Sequence, residues 1–238
     1  MTRNPQYLVL VRHGQSAANI VTQSPTDSLY YEVSGSDSEV RLTDLGRLQA
    51  RAAGLQLGRL FTPQAPLDEI LLSPFLRVKE TADEIAAAFG YRPASAVDSR
   101  LSKRNYGQFW NLTYKGVELL YPAEFQLYQQ QGKLLHRPPG GENYFDVFKR
   151  VDNLIDDKIS RCRHNLMLVT HSVVMLSFRR RFEALADEEV VRLYEEVALA
   201  NGQILAYARS GPDREWKPCS VPILDPGMAP LPVASGAP

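Results

Sequence analysis

The sequence predicts an α/β fold, a three-layer α/β/α sandwich around a mostly parallel central sheet. Three observations lead there. The short runs "YLVLV" (7–11), "EILLS" (69–73) and "NLMLVT" (165–170) are apolar almost throughout, as strands buried on both faces are. Longer segments with helical spacing separate these runs, and strands alternating with helices build a parallel sheet covered on both sides. The chain has 238 residues, 44% of them hydrophobic, enough for one domain with a substantial core.

Taken in order, the run 7–11 is the first strand. The polar, Ser/Asp-rich stretch 22–41 then reads as a surface loop near its exit. Thr43 can cap a helix whose apolar positions Leu45, Leu48, Ala52 and Leu55 follow helical spacing. The second strand, 69–73, leads into a helix that starts after Ser73-Pro74 and runs to about Phe89-Gly90, where the glycine suits a C-terminal cap. "ASAV" (94–97) is a short additional strand. Residues 108–140, with Phe109, Trp110, Tyr114 and Tyr121, are expected to cover a pocket together with the loop 22–41. In 143–161, Tyr144, Phe148, Val151, Ile155 and Ile159 make one buried stripe. The strands 165–170 and "ILAYAR" (204–209) follow. Residues 1–210 are therefore expected to form a single domain. The segment 211–238, with seven of the sixteen prolines, is expected to be an extended or disordered tail that adds nothing to the core.

Formal net charge is zero, which argues against a nucleic-acid or membrane-surface partner. No apolar run approaches the roughly 20 residues of a membrane-spanning helix. The N-terminal residues before the first strand contain no apolar signal core, so a cytoplasmic location is expected. Cys162 and Cys219 are isolated from each other, which suits reduced thiols and offers no cysteine-based metal site.

Ligands of open α/β sheets bind outside the carboxyl ends of the strands. Three strands deliver polar residues to that edge: Arg12-His13-Gly14, Ser73-Pro74 with Arg77 one turn on, and Thr170-His171-Ser172. Guanidinium forks hold phosphoryl oxygens, an imidazole can attack phosphorus, and Gly14 allows a close backbone turn. A serine hydrolase is disfavoured because Ser172 lacks the Gly-x-Ser-x-Gly elbow. Zinc hydrolysis is disfavoured because no His-Glu-x-x-His occurs and the four histidines are scattered. His136 and His164 have no such context and read as surface or loop residues.

The segments "LVRHGQSAAN", "LLSPFLRVKETA", "RPPGGEN" and "LMLVTHSVVM", in this order, resemble the histidine phosphatase superfamily, phosphoglycerate-mutase-like branch. The resemblance covers about residues 6 to 208. It implies a phosphoglycerate-mutase-like sheet between helical layers, with His13 as the phosphorylated nucleophile and Arg12, Arg77 and His171 as phosphate ligands. It also implies catalysis without a metal or cofactor. Gln15 and Asn19 are candidate hydrogen-bonding contacts to the phosphate, beside Gly14. The family pattern Leu-x-Glu-x-x-x-Gly, whose Glu is the usual acid, is matched by "LSKRNYG", which places Lys103 where the Glu would stand. Lys103 and Arg104 then suit anion contacts, and Glu142 is the best remaining carboxyl candidate for the acid. Glu80 reads as a structural helix residue.

The resulting expectation is a metal-independent, histidine acid phosphatase-type phosphomonoesterase. It would act on a small phosphorylated metabolite, release inorganic phosphate, and use neither nucleic acid nor membrane; the oligomeric state is left open. A phosphoglycerate-type mutase is the nearest alternative. A catalytically weak phospho-ligand-binding protein, kept alive by the Lys103 departure, is the alternative from another class.

Overall fold

The computed structural model describes residues 6–196, 199–209 and 215–221. Six strands form one sheet: β1 (Gln6–Arg12), β2 (Glu69–Leu72), β3 (Ala94–Val97), β4 (Leu166–Thr170), β5 (Ile204–Arg209) and β6 (Lys217–Cys219). Their order is β3-β2-β4-β1-β5-β6. The four strands β3, β2, β4 and β1 run parallel, and β5 pairs antiparallel with both β1 and β6. The sheet is thus mostly parallel, as expected.

The helices are α1 (Ala17–Gln23), α2 (Asp44–Leu57), α3 (Leu76–Ala86), α4 (Tyr114–Leu120), α5 (Pro122–Leu135), α6 (Tyr144–Leu154), α7 (Ser172–Phe182) and α8 (Asp187–Glu196). Alternation along the central strands divides the core into two layers. Leu8, Leu10, Leu166 and Leu168 pack with Tyr144, Phe148 and Val151 of α6 and Val174 and Phe178 of α7. Val9, Val11, Met167 and Val169 pack on the other face with Ala53 and Leu57 of α2 and Val78 and Ile85 of α3. The expected stripe Tyr144, Phe148, Val151, Ile155, Ile159 is buried throughout.

Three features differ from a first reading of the sequence. The helical spacing places α2 as expected, but its leucines face solvent, with Leu45, Leu48 and Leu55 at 39%, 52% and 48% exposure. The buried face is instead Gly46, Ala50, Ala53, Gly54 and Leu57. The reason is backbone proximity: a Cβ at Gly54 would crowd the backbone of Ile85 and the Ala88 side chain, so small residues choose the contact face. His136, read as a surface or loop residue, does lie in the loop after α5 but is buried there, with Nε2 3.2 Å from a Glu124 carboxylate oxygen and its ring stacked near Phe109. Within the proline-rich tail, Trp216 joins the core and β6 extends the sheet, so 215–221 does add to the core; 211–214 and 222–238 lie outside the described residues.

Helix starts follow local chemistry. The Thr43 side chain accepts the Gly46 N–H, capping α2. Pro74 lies just ahead of the Phe75 cap of α3 rather than inside its first turn, and Gly90 takes φ +70° beyond the helix end. The α2 N-terminus sits directly against the turn that follows β1. A Cβ on Gly14 would fall inside contact distance of the Gly46 carbonyl, and one on Gly46 would strike the Gln15 carbonyl.

The expected consequence is a Gly46→Ala protein that unfolds in urea with about 1–3 kcal/mol less stability, because overpacking here displaces backbone. An unchanged midpoint would contradict the close approach.

Candidate functional site

Three strand exits meet at one edge. β1 lies beside β4 in the sheet, with Arg12 in register with Thr170, and the His13 N–H donates to the Thr170 carbonyl at 3.0 Å. β2 is the next strand, and the Ser73 N–H donates to the Val169 carbonyl at 3.2 Å. The resulting turns set His13, Ser73 and His171 side by side, with α3 bringing Arg77 one turn later. The loop before β5 closes the other side: the Asn201 amide donates to the His13 carbonyl at 3.0 Å, and the Arg12 N–H donates to the Gln203 carbonyl at 3.0 Å. Thr81 ties the parts together. Its hydroxyl donates to the Arg77 carbonyl at 2.7 Å and accepts from the Gly14 N–H at 3.1 Å.

The result is a cavity of about 450 Å³ whose inner end is formed by Arg12, His13, Arg77 and His171. The His13 and His171 rings lie edge to face, with centroids 5.1 Å apart. His13 Nδ1 is 2.7 Å from the Gly14 carbonyl oxygen, which assigns the proton to Nδ1 and leaves Nε2 with its lone pair. His171 Nε2 lies 2.9 Å from Ser73 Oγ. Its Nδ1 is buried without a partner among the described residues, and so are Nε of Arg12 and Oδ1 of Asn111, which lines the same cavity. Buried polar groups are normally satisfied, so three orphaned atoms on residues of one cavity mark a place that takes a polar ligand.

Electrostatics sharpen this. Burial first, then Arg77 and Arg12, hold the His13 pKa well below the usual histidine value, while its contact with the Gly14 carbonyl opposes. His171 is lowered for the same leading reason, helped by His13 and Arg77. Burial also lowers the pKa of both guanidiniums. The edge is therefore cationic, desolvated and short of anions, a setting in which a phosphoryl dianion is strongly favoured.

One carboxylate enters it. Asp37, in a 3₁₀ turn over Asp37–Glu39, accepts from Arg77 Nη1 through its carbonyl at 2.6 Å and pairs with Arg77 Nη2 through Oδ1 at 3.0 Å. Its Oδ2 accepts from Lys103 Nζ at 2.8 Å. Sequence reasoning missed Asp37 because the stretch 22–41 has no periodicity. The Ser36-x-x-Glu39 capping box that builds the turn was the available signal.

The other expected site residues divide. Lys103 lines the cavity, its ammonium 5.2 Å and 4.8 Å from the ring centroids of Tyr106 and Trp110. Arg104 also lines it, but its guanidinium donates to the carbonyls of Glu142 and His136. Asn19 lines the cavity while its Oδ1 accepts from the Ser16 N–H, so it serves the start of α1 as well. Gly14 and Gln15 are placed elsewhere: Gly14 makes the close approach to α2, and the Gln15 side-chain oxygen accepts from the Thr43 hydroxyl at 2.9 Å. Glu142 is corrected too. It does not line the cavity, because Arg150 Nε donates to its Oε1 at 2.8 Å and the Asn105 N–H to its Oε2 at 2.9 Å. Glu80 is structural as expected, accepting from the Leu42 N–H and pairing with Arg47. Tyr31 and Val33 of the early loop and Phe109, Trp110 and Leu112 form the outer walls.

A mostly parallel α/β sheet that holds two imidazoles and two arginines at one carboxyl edge defines a protein of the histidine phosphatase type. The chain belongs to the histidine phosphatase superfamily (branch 1), whose family model matches residues 8–213. It is 30% identical over 158 residues to phosphoglycerate mutase-like protein AT74 of Arabidopsis thaliana, covering 64% of this chain and 46% of that protein, so it spans less than half of that relative. It is 26% identical over 186 residues to a fructose-2,6-bisphosphatase of Saccharomyces cerevisiae, covering 78% of this chain and 36% of that protein. Among solved structures, a putative alpha-ribazole-5'-P phosphatase from Escherichia coli superposes with a TM-score of 0.71 at 18% identity, over 92% of this chain and 96% of that one. Among the described residues, no helix is long and apolar enough to cross a membrane.

The neutral imidazoles set a pH dependence. In the unfolded chain both histidines protonate near the ordinary value of about 6.5, whereas burial resists this in the folded state. Their contribution is fully present above about pH 6.5 and is lost as pH falls below it, by at most about 1.4 kcal/mol per pH unit for each histidine. Urea unfolding of the ligand-free protein between pH 7.5 and 5.5 should show this decline, and the double variant His13→Gln/His171→Gln should show less of it. An identical slope in both proteins would rule the linkage out.

Proposed function

We propose that the protein is a phosphatase that hydrolyses a small phosphomonoester through a phosphohistidine on His13. The observation that carries this reading is the His13 imidazole: buried, kept neutral, tied to the Gly14 carbonyl through Nδ1, and facing one cavity with Arg12, Arg77 and His171. Nε2 attacks phosphorus in line with the leaving oxygen, and the ester P–O bond breaks as the N–P bond forms. Arg12, Arg77 and His171 stabilise the charge on the equatorial oxygens, with Arg12 Nε and His171 Nδ1 as donors that have no acceptor among the described residues. The N-terminus of α7 adds to this, since Ser172 and Val173 at its first turn line the same cavity. Water then attacks the phosphohistidine and releases inorganic phosphate, returning His13 to its neutral form.

A phosphoglycerate-type mutase uses the same first half-reaction, and the mutase-like name of one relative favours it as the second reading. The two differ in the acceptor: water in one, a second hydroxyl of the substrate or its product in the other.

Purified protein is expected to hydrolyse 4-nitrophenyl phosphate in the presence of a chelator, and His13→Ala should lose at least about 10³-fold of that activity, the scale typical of removing a nucleophile. Acid-labile labelling of the wild type, absent from the variant, would place the phosphoryl group on the imidazole. Turnover surviving in His13→Ala sinks the mechanism. Phosphate binding without turnover would instead identify a phospho-ligand-binding protein.

A further inference from the structure

The proposed reaction leaves an oxygen that must be protonated, and among the described residues that line the cavity none is Asp or Glu. We propose that Lys103 donates this proton and that Asp37 is the positioning residue that holds its ammonium at the leaving-group side of the phosphate. The proposal rests on the phosphatase reading above.

Three geometric facts carry it. Lys103 lines the cavity together with His13 and Arg77. Its Nζ is 2.8 Å from Asp37 Oδ2, while Oδ1 of the same carboxylate is 3.0 Å from Arg77 Nη2. The ammonium is therefore one carboxylate's width from a guanidinium that would hold the phosphate. The ion pair with Asp37 uses one of the three N–H bonds of Lys103, and among the described residues no other acceptor engages the rest. Tyr106 and Trp110 flank the ammonium with their rings and fix it laterally.

The charged and titratable groups around Lys103 come from four sides: Asp37 from its 3₁₀ turn, Arg77 from α3, His13 from the exit of β1 and His171 from the start of α7. Burial, with Arg77 acting in the same direction, lowers the lysine pKa, and Asp37 opposes both. Burial and Arg77 thus make the ammonium a readier proton donor than a free lysine, and Asp37 restrains that shift.

The step balances without any co-reactant. As the Nε2–P bond forms and the ester bond breaks, a proton passes from Nζ to the leaving oxygen, giving an alcohol and a neutral amine. The amine then accepts a proton from the water that attacks the phosphohistidine, which regenerates the ammonium.

The test compares 4-nitrophenyl phosphate, whose leaving group needs little protonation, with glycerol 2-phosphate, whose leaving group needs a full proton. Lys103→Arg retains the cation but cannot give up a proton at these pH values. Its turnover of glycerol 2-phosphate should fall by about 10²–10⁴-fold, and that of the aryl ester far less. Asp37→Asn removes the group that raises the lysine pKa, so the alkaline limb of kcat for glycerol 2-phosphate should move to lower pH; a merely structural residue would lower turnover without moving the limb. Equal losses on the two esters in Lys103→Arg, no loss on either, or an unmoved limb in Asp37→Asn would each overturn the donor role. The underlying reading fails separately, if the wild type turns over neither ester and His13 is never labelled.

Discussion

The constraint on which this site depends is electrostatic: His13 has to stay neutral beside two buried guanidiniums. An exposed histidine near its ordinary pKa would be partly protonated at neutral pH and without a lone pair to attack with. Burial and the adjacent arginines suppress that proton, so one arrangement would both prepare the proposed nucleophile and assemble the proposed anion hole. The arrangement also leaves the ligand-free site strained in charge. Asp37 relieves part of it through Arg77 and Lys103, while Arg12 Nε and His171 Nδ1 remain without partners among the described residues. Free energy withheld in this way from the empty protein would become available to the proposed phosphate ligand, which supplies the missing acceptors.

Holding those charges in place requires a rigid frame, and the frame is backbone packed on backbone. Gly14 and Gly46 let the turn after β1 touch the N-terminus of α2, with Thr43 donating its N–H to the Gln15 carbonyl and its hydroxyl to the Gln15 side chain. Thr81 fastens the same turn to α3, directly at the carbonyl of Arg77. Residues next to the His13 imidazole thus work on its geometry rather than on the cavity. This explains why Gln15, adjacent in sequence to a phosphate-site motif, is turned toward α2.

The buried strands and the four-residue constellation were legible because each has a local signal. An apolar run ending in Arg12-His13-Gly14 or in Thr170-His171 declares both a buried strand and an unusual placement of polar groups. The buried face of α2 was not legible because the helix is held by small residues at close backbone distance, where hydrophobicity ranks Leu45, Leu48 and Leu55 above the glycines and alanines that make the contact. Glu142 was misread because its motif predicts a position near the rim but says nothing about Arg150, eight residues on, which turns the carboxylate away. Asp37 was invisible for a related reason. Its partners Arg77 and Lys103 are 40 and 66 residues away, and nothing in its own neighbourhood announces them.

Asp37 and Lys103 become intelligible only as a pair. A lysine placed alone in a cavity already lined by Arg12, Arg77 and Arg104 would add a fourth cation to a desolvated space, at a cost set by mutual repulsion in low dielectric. With the Asp37 carboxylate between Lys103 and Arg77, two of the four cations share one counter-charge, and the turn that carries Asp37 is anchored over the site. The pairing also supplies a reason for the polar loop to fold at all, since its Ser36–Glu39 capping box is exposed and weak by itself. A loop held by the ion pair that arms the proposed donor would order the outer wall at Tyr31 and Val33 together with the chemistry inside. Loss of Asp37 is then expected to act on catalysis and on the shape of the cavity mouth at once, because one carboxylate serves both.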